Sequence, residues 1–392
     1  MRLSRSSAAC ALICVAAASA FAQTERGPID VTDFAEHVLN PGTEQEDWQP
    51  AFQEALKLTE DGVRPIYVPA GTYPIRQAIV ILPHQRENGG WYPGPRIFGD
   101  GMHQSVIRQM VETENCVDWT GETYEDGASH GQLDHIQLAG GDITLNLKWH
   151  NSFSMDSCRI GGAARYGIYT EGWSSRFLNS LIRWCGEAGI MGYAHFNNAV
   201  VRDCYFGRVR IGVLAHGGHG SRIEGCGFEH CVQSAVMLRN VKGFTVNNSY
   251  FEGNADADAP RHNPVSPCNT LDAEFNCWGL SIHDNIFRFQ RDDAGALISL
   301  ADIRGGHVYD NLFWVNAPTN NAVMLREGDP ELGPDDWERE TRDLIVEHNQ
   351  ARNVRHLLSE ERPGLIEEAV ANGSRFQWTL DDTALEEEEG DD

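Results

Sequence analysis

The sequence predicts an all-β chain, a parallel β-helix solenoid with an N-terminal capping helix. Three observations carry that reading. A motif of apolar residues, one small or amide residue and a short apolar or aromatic pair recurs along the chain: FSMDSCRI, FLNSLIRW, AVVRDCYF, SRIEGCGF, FTVNNSYF, LSIHDNIF, HVYDNLFW and LIVEHNQA. A second series follows at a fixed offset (YGIYTE, AGIMGYA, IGVLAHG, SAVMLRN, GALISLAD, NAVMLRE), with the two-residue alternation of half-buried strands. The 39 glycines and the frequent Asn supply the turns that stacked coils of short strands require, and they argue against helical repeats.

The elements follow in order along the chain. Residues 1–22 read as a secretory leader: Arg2 and Arg5 precede an apolar stretch from Ala8 to Ala20, and Ala20-Phe21-Ala22 fits the small-x-small cleavage rule. The expected location is therefore secreted or periplasmic. Residues 23–100 hold the cap and first coils. Trp48 to Thr59 has helical spacing, with Trp48, Phe52, Ala55, Leu56 and Thr59 on one side, and PIYVPAGTYPI after it reads as strand-turn-strand with Gly71 at the turn. Residues 101–360 form the β-helix, with loop insertions near 253–276 and 327–341. Residues 361–392 form a C-terminal segment whose EEEEGDD tail reads as acidic and disordered.

In the repeat, the small or amide position is assigned to Cys158, Leu181, Cys204, Cys226, Ser249, Asn285, Asn311 and Asn349, at spacings of 23, 23, 22, 23, 36, 26 and 38. Five short steps and two long ones mean a regular coil with two inserted loops. A thiol packs well at an inward corner, and an amide there can bond the turn backbone above and below. No CxxC or zinc spacing occurs among the cysteines, so a structural zinc site is not expected; Cys268 and Cys277 bracket a short loop that a disulfide would close.

The formal charge of -26 excludes a general nucleic-acid binder, whose affinity rests on cations. No apolar run in the mature chain is long enough to span a membrane. The charge also opposes an acidic polymer as ligand, except that arginine concentrates in the coils, at Arg159, Arg183, Arg202, Arg208, Arg210, Arg222 and Arg239. A local field can oppose the global sign.

The run IDVTDF, AFQEAL, IYVPAGTYPI and IFGDG, followed by the coils, resembles the pectate-lyase-like superfamily of single-stranded right-handed parallel β-helix proteins. The resemblance covers most of Ile29 to Ser359. It implies the handedness and a carbohydrate-related role, in a superfamily that includes polysaccharide lyases, glycoside hydrolases, uronate epimerases and phage tailspikes. The sequence departs from common patterns of the superfamily: NPGTEQEDW stands where many relatives carry Gly-Asp-Gly and Thr-Asp-Asp-Thr, no DPHD motif of the alginate epimerases is present, and the Gly218-His219-Gly220 run lacks the paired aspartates that polygalacturonases place upstream.

Two outward columns carry candidate chemistry, since equivalent side chains on successive coils lie about 4.8 Å apart. If Ile168, Ile190, Val213, Val236, Leu297 and Val323 point inward, the outward residues three further on are Glu171, Tyr193, His216, Arg239, Leu300 and Arg326. Tyr193, His216 and Arg239 supply what β-elimination of a uronic acid needs: a base, an acid and a cation for the carboxylate. Glu171, Trp173, His195, His219 and Arg326 are the expected substrate-binding residues, and the resemblance implies a substrate groove on this face. The second column is Trp184, Gly207, Glu229, Glu252, Arg288, Trp314 and Arg352, in which Glu229 and Glu252 would suit a retaining glycoside hydrolase. The expected function is thus a polysaccharide lyase acting on a uronic-acid-containing polymer. A glycoside hydrolase is the alternative, and a non-catalytic carbohydrate-binding or adhesive β-helix the second alternative. His195, His216 and His219 do not form a recognised metal-ligand pattern. No cofactor is required, calcium on the acidic loops is compatible with the composition, and monomer and homotrimer remain open.

Overall fold

A computed structural model describes residues 27–59, 64–83, 93–121, 123, 128–255, 269–288, 295–315, 321–328 and 340–379. The segment expected to be a secretory leader, the centres of both expected insertions and the EEEEGDD tail lie outside the described residues. Each coil consists of three strands, two of about three residues and one of up to six. One coil runs Ser154–Asp156, Arg159–Gly161, Tyr166–Glu171, and the next Arg176–Leu178, Leu181–Arg183, Ala188–Tyr193. Equivalent strands pair in parallel, giving three ladders along the rod. The first ladder extends from Ile29–Asp30 to Arg375–Thr379, and the third, of 11 strands, from Ile79–Ile81 to His356–Glu360. Ile345–Arg352 is long enough to pair with strands of both the first and the second ladder, and it joins them into one sheet.

The interior is built rung by rung. The middle residue of each short strand points inward, and no coil buries its apolar face without its neighbours. Along the second ladder these residues become a file of phenylalanines, Phe206, Phe228, Phe251, Phe287 and Phe313, stacked at centroid distances of 4.8, 5.1, 4.6 and 5.0 Å. Face-to-face stacking follows here from strand spacing, because identical rings on neighbouring rungs are held one inter-strand distance apart, about 4.8 Å.

The corner between the first and second ladders explains the repeat. Each corner places one residue in the left-handed region, among them Asn179 (φ 49°), Asp203 (53°), Asn248 (50°), Asp284 (55°) and Asp310 (53°), types that tolerate it. The next residue turns inward and is buried. Asn285 Oδ1 accepts from Ser249 N at 3.0 Å, Asn311 Oδ1 from Asn285 N at 3.2 Å, and Asn349 Oδ1 from Asn311 N at 3.0 Å. Their amide groups donate to carbonyls of the preceding coil, Asn285 to Val246 O and Asn311 to Ile282 O, both at 2.9 Å. Cys158, Cys204 and Cys226 occupy the same corner, with Sγ against Leu133 O, Phe177 O and Val201 O. One member of the expected column is corrected: Ser180, not Leu181, holds this position, and its Oγ accepts from Cys158 N at 3.0 Å. Leu181 instead opens the outward side of the next strand. Cys277 is buried and unbridged, with Sγ 3.3 Å from Glu274 O; its expected partner Cys268 lies outside the described residues.

At the N-terminal end the expected helix forms over Gln49–Lys57. Asp47, itself buried, sets its start by accepting from Gln49 N and Arg76 N through Oδ1. Phe52, Ala55 and Leu56 enter the common core, while Gln49 and Gln53 donate to Ala78 O and Val80 O beside the first third-ladder strand. The strand-turn-strand reading is found as Ile66–Val68 and Gly71–Ile75. A 3-10 helix at Val31–His37 precedes it. Near the other end a second helix, Leu365–Ala371, buries Ala369 and leads into the strand Arg375–Thr379, which adds a further first-ladder rung. Among the described residues no helix is long and apolar enough to cross a membrane.

Candidate functional site

The outward edge of the third ladder aligns Tyr193, His216, Arg239 and Glu274 on four consecutive coils as direct register partners. Lys148 pairs with Glu171, and the Thr170–Gly192 pairing sets Glu171 beside Tyr193. A second outward row, Tyr169, Met191, Leu214 and Met237, gives the face a partly apolar floor before it changes to Asp272 and Ser299.

Tyr193, Glu171, His216 and Arg239 were expected on this edge and are on it; Leu300 is not. The inward residue in register with Val236 and Leu271 is Ile298 rather than Leu297, and a one-residue slip turns a side chain to the opposite face. Leu300 is therefore buried in the core, and Glu274 takes the place beside Arg239.

The chemistry at this edge is graded by burial. Tyr193 is 41% exposed and meets His216 edge-on, ring centroids 5.4 Å apart. His216 is half-buried. Burial, with Arg239 beside it, holds its imidazole below the ordinary histidine range, so it is neutral at neutral pH. Arg239 donates to Glu274 Oε1 from Nε at 2.8 Å and from Nη2 at 2.7 Å. Arg326, expected to bind substrate, is folded onto the same network: its Nη2 reaches Asp272 Oδ1 at 2.6 Å and Glu274 Oε2 at 3.1 Å, and its side chain is only 10% exposed. Burial raises the Asp272 carboxyl above its usual range, with Arg326 opposing. Glu171 is buried and accepts from Tyr169 OH at 3.3 Å.

Trp173 and His219 lie off the third ladder, on the corner strip beyond it. Trp173 bridges to Asn197 and His219 to Lys242; Lys242 then pairs with Trp278 and Trp278 with Arg304. His219 N donates to Asn197 Oδ1 at 2.8 Å. His195 sits with its ring 6.0 Å from Trp149. The corner strip adds residues that sequence reasoning missed: exposed Trp278 carries Lys242 Nζ at 5.2 Å and Arg304 at 5.3 Å over its ring. Their signal was the basic or aromatic residue just before the glycine of each coil.

On the second ladder, Glu229 and Glu252 are direct register partners, about one strand spacing apart. Each carboxylate accepts from a tyrosine, Glu229 from Tyr205 OH at 2.7 Å and Glu252 from Tyr250 OH at 2.6 Å. Burial and the carboxylate push Tyr205 up to about 12. The column continues through Arg288, Trp314 and Arg352 as expected. At its other end Arg183, not Trp184, pairs with Gly207; Trp184 is the left-handed corner residue that follows. Among the described residues no group of three or more His, Cys, Asp and Glu side chains is arranged to hold a metal ion.

The right-handed β-helix region family matches residues 144–263, the stretch that holds Tyr193, His216 and Arg239 on one ladder and Glu229 and Glu252 on another. The chain is a right-handed parallel β-helix protein. It is consistent with the pectate-lyase-like superfamily its sequence resembles. No curated protein matches the sequence. Among solved structures, this β-helix protein is similar to the Dettilon tailspike protein (TM-score 0.59, 11% identity, 89% of this chain and 70% of that one). It is also similar to PfbA, a surface adhesin of Streptococcus pneumoniae (TM-score 0.57, 9% identity, 86% and 93%). A third match is the A-module of the Azotobacter vinelandii mannuronan C-5 epimerase AlgE6 (TM-score 0.54, 14% identity, 90% and 92%). At these identities the β-helix protein shares their fold alone.

Proposed function

We propose that the protein is an exported polysaccharide lyase that cleaves a uronic-acid-containing polymer by β-elimination on the outer face of the third ladder. The observation that carries the reading is the direct register of Tyr193, His216 and Arg239. His216, kept neutral by its surroundings, is the base that removes the proton α to the uronate carboxylate. That electron pair forms the new carbon–carbon double bond, the bond from the β carbon to the glycosidic oxygen breaks, and the departing oxygen takes the proton of the Tyr193 phenol. Arg239, fixed on one side by Glu274, presents the rest of its guanidinium to the substrate carboxylate, where charge builds as the proton leaves. In the second row Met191 and Met237 are buried, and the half-buried Tyr169 and Leu214 suit the faces of sugar rings. The likeness to a carbohydrate-modifying epimerase, a tailspike and an adhesin is compatible with a long glycan lying along the rod.

The register of Glu229 with Glu252 favours a second reading, a retaining glycoside hydrolase on the second ladder. Their tyrosine partners weigh against it, because a hydroxyl donated to each carboxylate lowers its nucleophilicity and basicity.

Product analysis against pectate, alginate, glucuronan and neutral glycans tests the proposal. Ultraviolet-absorbing unsaturated uronate that disappears in His216→Ala supports it. New reducing ends without that absorbance, lost in Glu229→Gln, overturn it in favour of the hydrolase. Tight binding with no product overturns both and leaves a purely adhesive role.

A further inference from the structure

Along the third ladder the outward face closes in one direction only. Tyr193 is 41% exposed, the Arg239 side chain 25% and the Glu274 side chain 4%, on rungs that follow one another through His216. In the parallel outward row Leu214 is half-buried, whereas its successors Met237, Asp272 and Ser299 are buried although they point away from the core. Part of the cover is Arg326. It starts two rungs beyond Glu274 and reaches back across the face, donating through Nε to Ser299 Oγ and through Nη2 to Asp272 Oδ1 and Glu274 Oε2. Toward the other end the face stays accessible, with Tyr169 half-buried and Tyr193 and Lys148 exposed around the buried Met191 and Glu171.

A groove with such a floor is blind beyond Arg239, because an outward side chain without solvent exposure offers a ligand no contact. Charge acts in the same sense. The carboxylates of Asp272 and Glu274 are matched by Arg239 and Arg326, which leaves no positive surplus for a second uronate at this end. From His216 to Glu274 is two rungs, about 10 Å, room for one or two sugar rings. The proposed chemistry fixes which end of the chain lies there. Arg239 holds the carboxylate of the sugar that loses its α proton, so that sugar is on the blind side. Its β carbon releases the glycosidic oxygen toward Tyr193, and that oxygen stays on the anomeric carbon of the neighbouring sugar. The chain on the open side is therefore the non-reducing part, and the reducing end faces the wall.

We infer that the third-ladder groove ends blindly at Glu274 and Arg326, so that the protein takes a polyuronate chain reducing end first and releases unsaturated fragments of one or two sugars. Direction and chemistry rest on the proposed lyase reading; the blind end rests on burial alone. Arg326 is on this account a specificity-determining residue, one that limits the length of the released fragment without touching the bond that breaks.

Two measurements on the full chain test it. Size-exclusion chromatography of early digests of pectate, alginate and glucuronan should show unsaturated mono- or disaccharide from the first time point, with the polymer peak almost unmoved. Unsaturated oligosaccharides of intermediate length, with early collapse of polymer size, overturn the inference and leave the lyase reading standing. The second measurement needs no turnover: binding of His216→Ala to uronate hexamers of the same three polymers, immobilised through either the reducing or the non-reducing end. At least one hexamer should bind about tenfold more tightly when its reducing end is free, and Arg239→Gln in the same background, with its fold confirmed by circular dichroism, should lose that preference. End-selective binding without unsaturated product from any polymer sinks the lyase reading but supports the blind groove. Equal binding of both forms, preference for the opposite end, binding of neither form, or a preference unchanged in Arg239→Gln overturns the inference.

Discussion

Glu274 lies directly beside Arg239 on the neighbouring coil and accepts from its guanidinium at 2.7 and 2.8 Å, while its other oxygen accepts from Arg326 at 3.1 Å. One carboxylate, 4% exposed, thus orients a half-open arginine and a nearly closed one. Replacing it with Gln leaves two guanidinium groups short of their counter-charge. Glu274→Gln should lower unfolding stability by about 3 kcal/mol, the scale for breaking a buried pair from one side. Denaturant unfolding checks this; an unchanged midpoint would mean that the network adds no stability. In the proposed reaction the same variant raises KM for the polymer more than it lowers kcat, because Arg239 loses its aim.

The depressed His216 pKa gives a second prediction. In the unfolded chain the imidazole titrates near the ordinary value of about 6.5; in the folded chain it titrates lower, held down by burial and then by Arg239. The unfolded state therefore binds the proton more readily, and the contribution to stability is full above that ordinary value and falls as the pH drops below it. His216→Gln should flatten this part of the stability profile, and NMR titration of the ring should give a pKa below that of a free histidine. The acid limb of kcat/KM for the proposed lyase should lie in the same region below pH 6.5.

His150 behaves as a core histidine, and its position predicts acid sensitivity of another origin. It is fully buried between Trp119 and Phe153, with ring centroids at 5.7 and 5.2 Å, and neither ring nitrogen has a well-formed hydrogen bond among the described residues. Burial drives its pKa down to about 3. The stability this costs accumulates as pH falls from about 6.5 to about 3. His150→Leu should gain about 3 kcal/mol more, relative to wild type, at pH 4 than at pH 7; parallel urea titrations at the two values decide it.

The corner ladder separates amides from thiols. Asn311 accepts from Asn285 and donates to Ile282 O and to Asn349 Oδ1, all buried. Asn311→Ala should cost about 2–4 kcal/mol, because it leaves groups on two coils unsatisfied. Cys204→Ala, at an equivalent corner with only weak Sγ contacts, should cost about 1 kcal/mol. Equal losses in the two variants would show that corner packing, not hydrogen bonding, sets the strength of the stack.

Much of this architecture was legible because the same physical demand recurs at each coil. The inward corner accepts only a small, thiol or amide side chain, so Cys204, Cys226, Asn285 and Asn311 were found at their true places. Leu181 was mistaken for Ser180 because the apolar run FLNSLIRW offers two alignments one residue apart, and only the bond from Cys158 N to Ser180 Oγ distinguishes them. The same one-residue ambiguity in GALISLAD placed Leu300 outside instead of in the core. Glu274 was missed for a different reason. Its strand, Leu271–Glu274, follows an insertion and reads LDAE, without the alternation that marks its neighbours. The Tyr193, His216 and Arg239 alignment was readable from uninterrupted coils of nearly constant length; the partner that ties down Arg239 was hidden across the insertion.

The asparagine corners also constrain how such a molecule can change over evolutionary time. Each corner amide serves its own rung and the rung before it, so a lone inserted residue in a strand turns every later side chain there inside out. A duplicated rung, by contrast, arrives with its own bend, its own aromatic filler and one more outward group on each face. The rod can therefore lengthen like a ruler gaining a graduation, about 4.8 Å at a time.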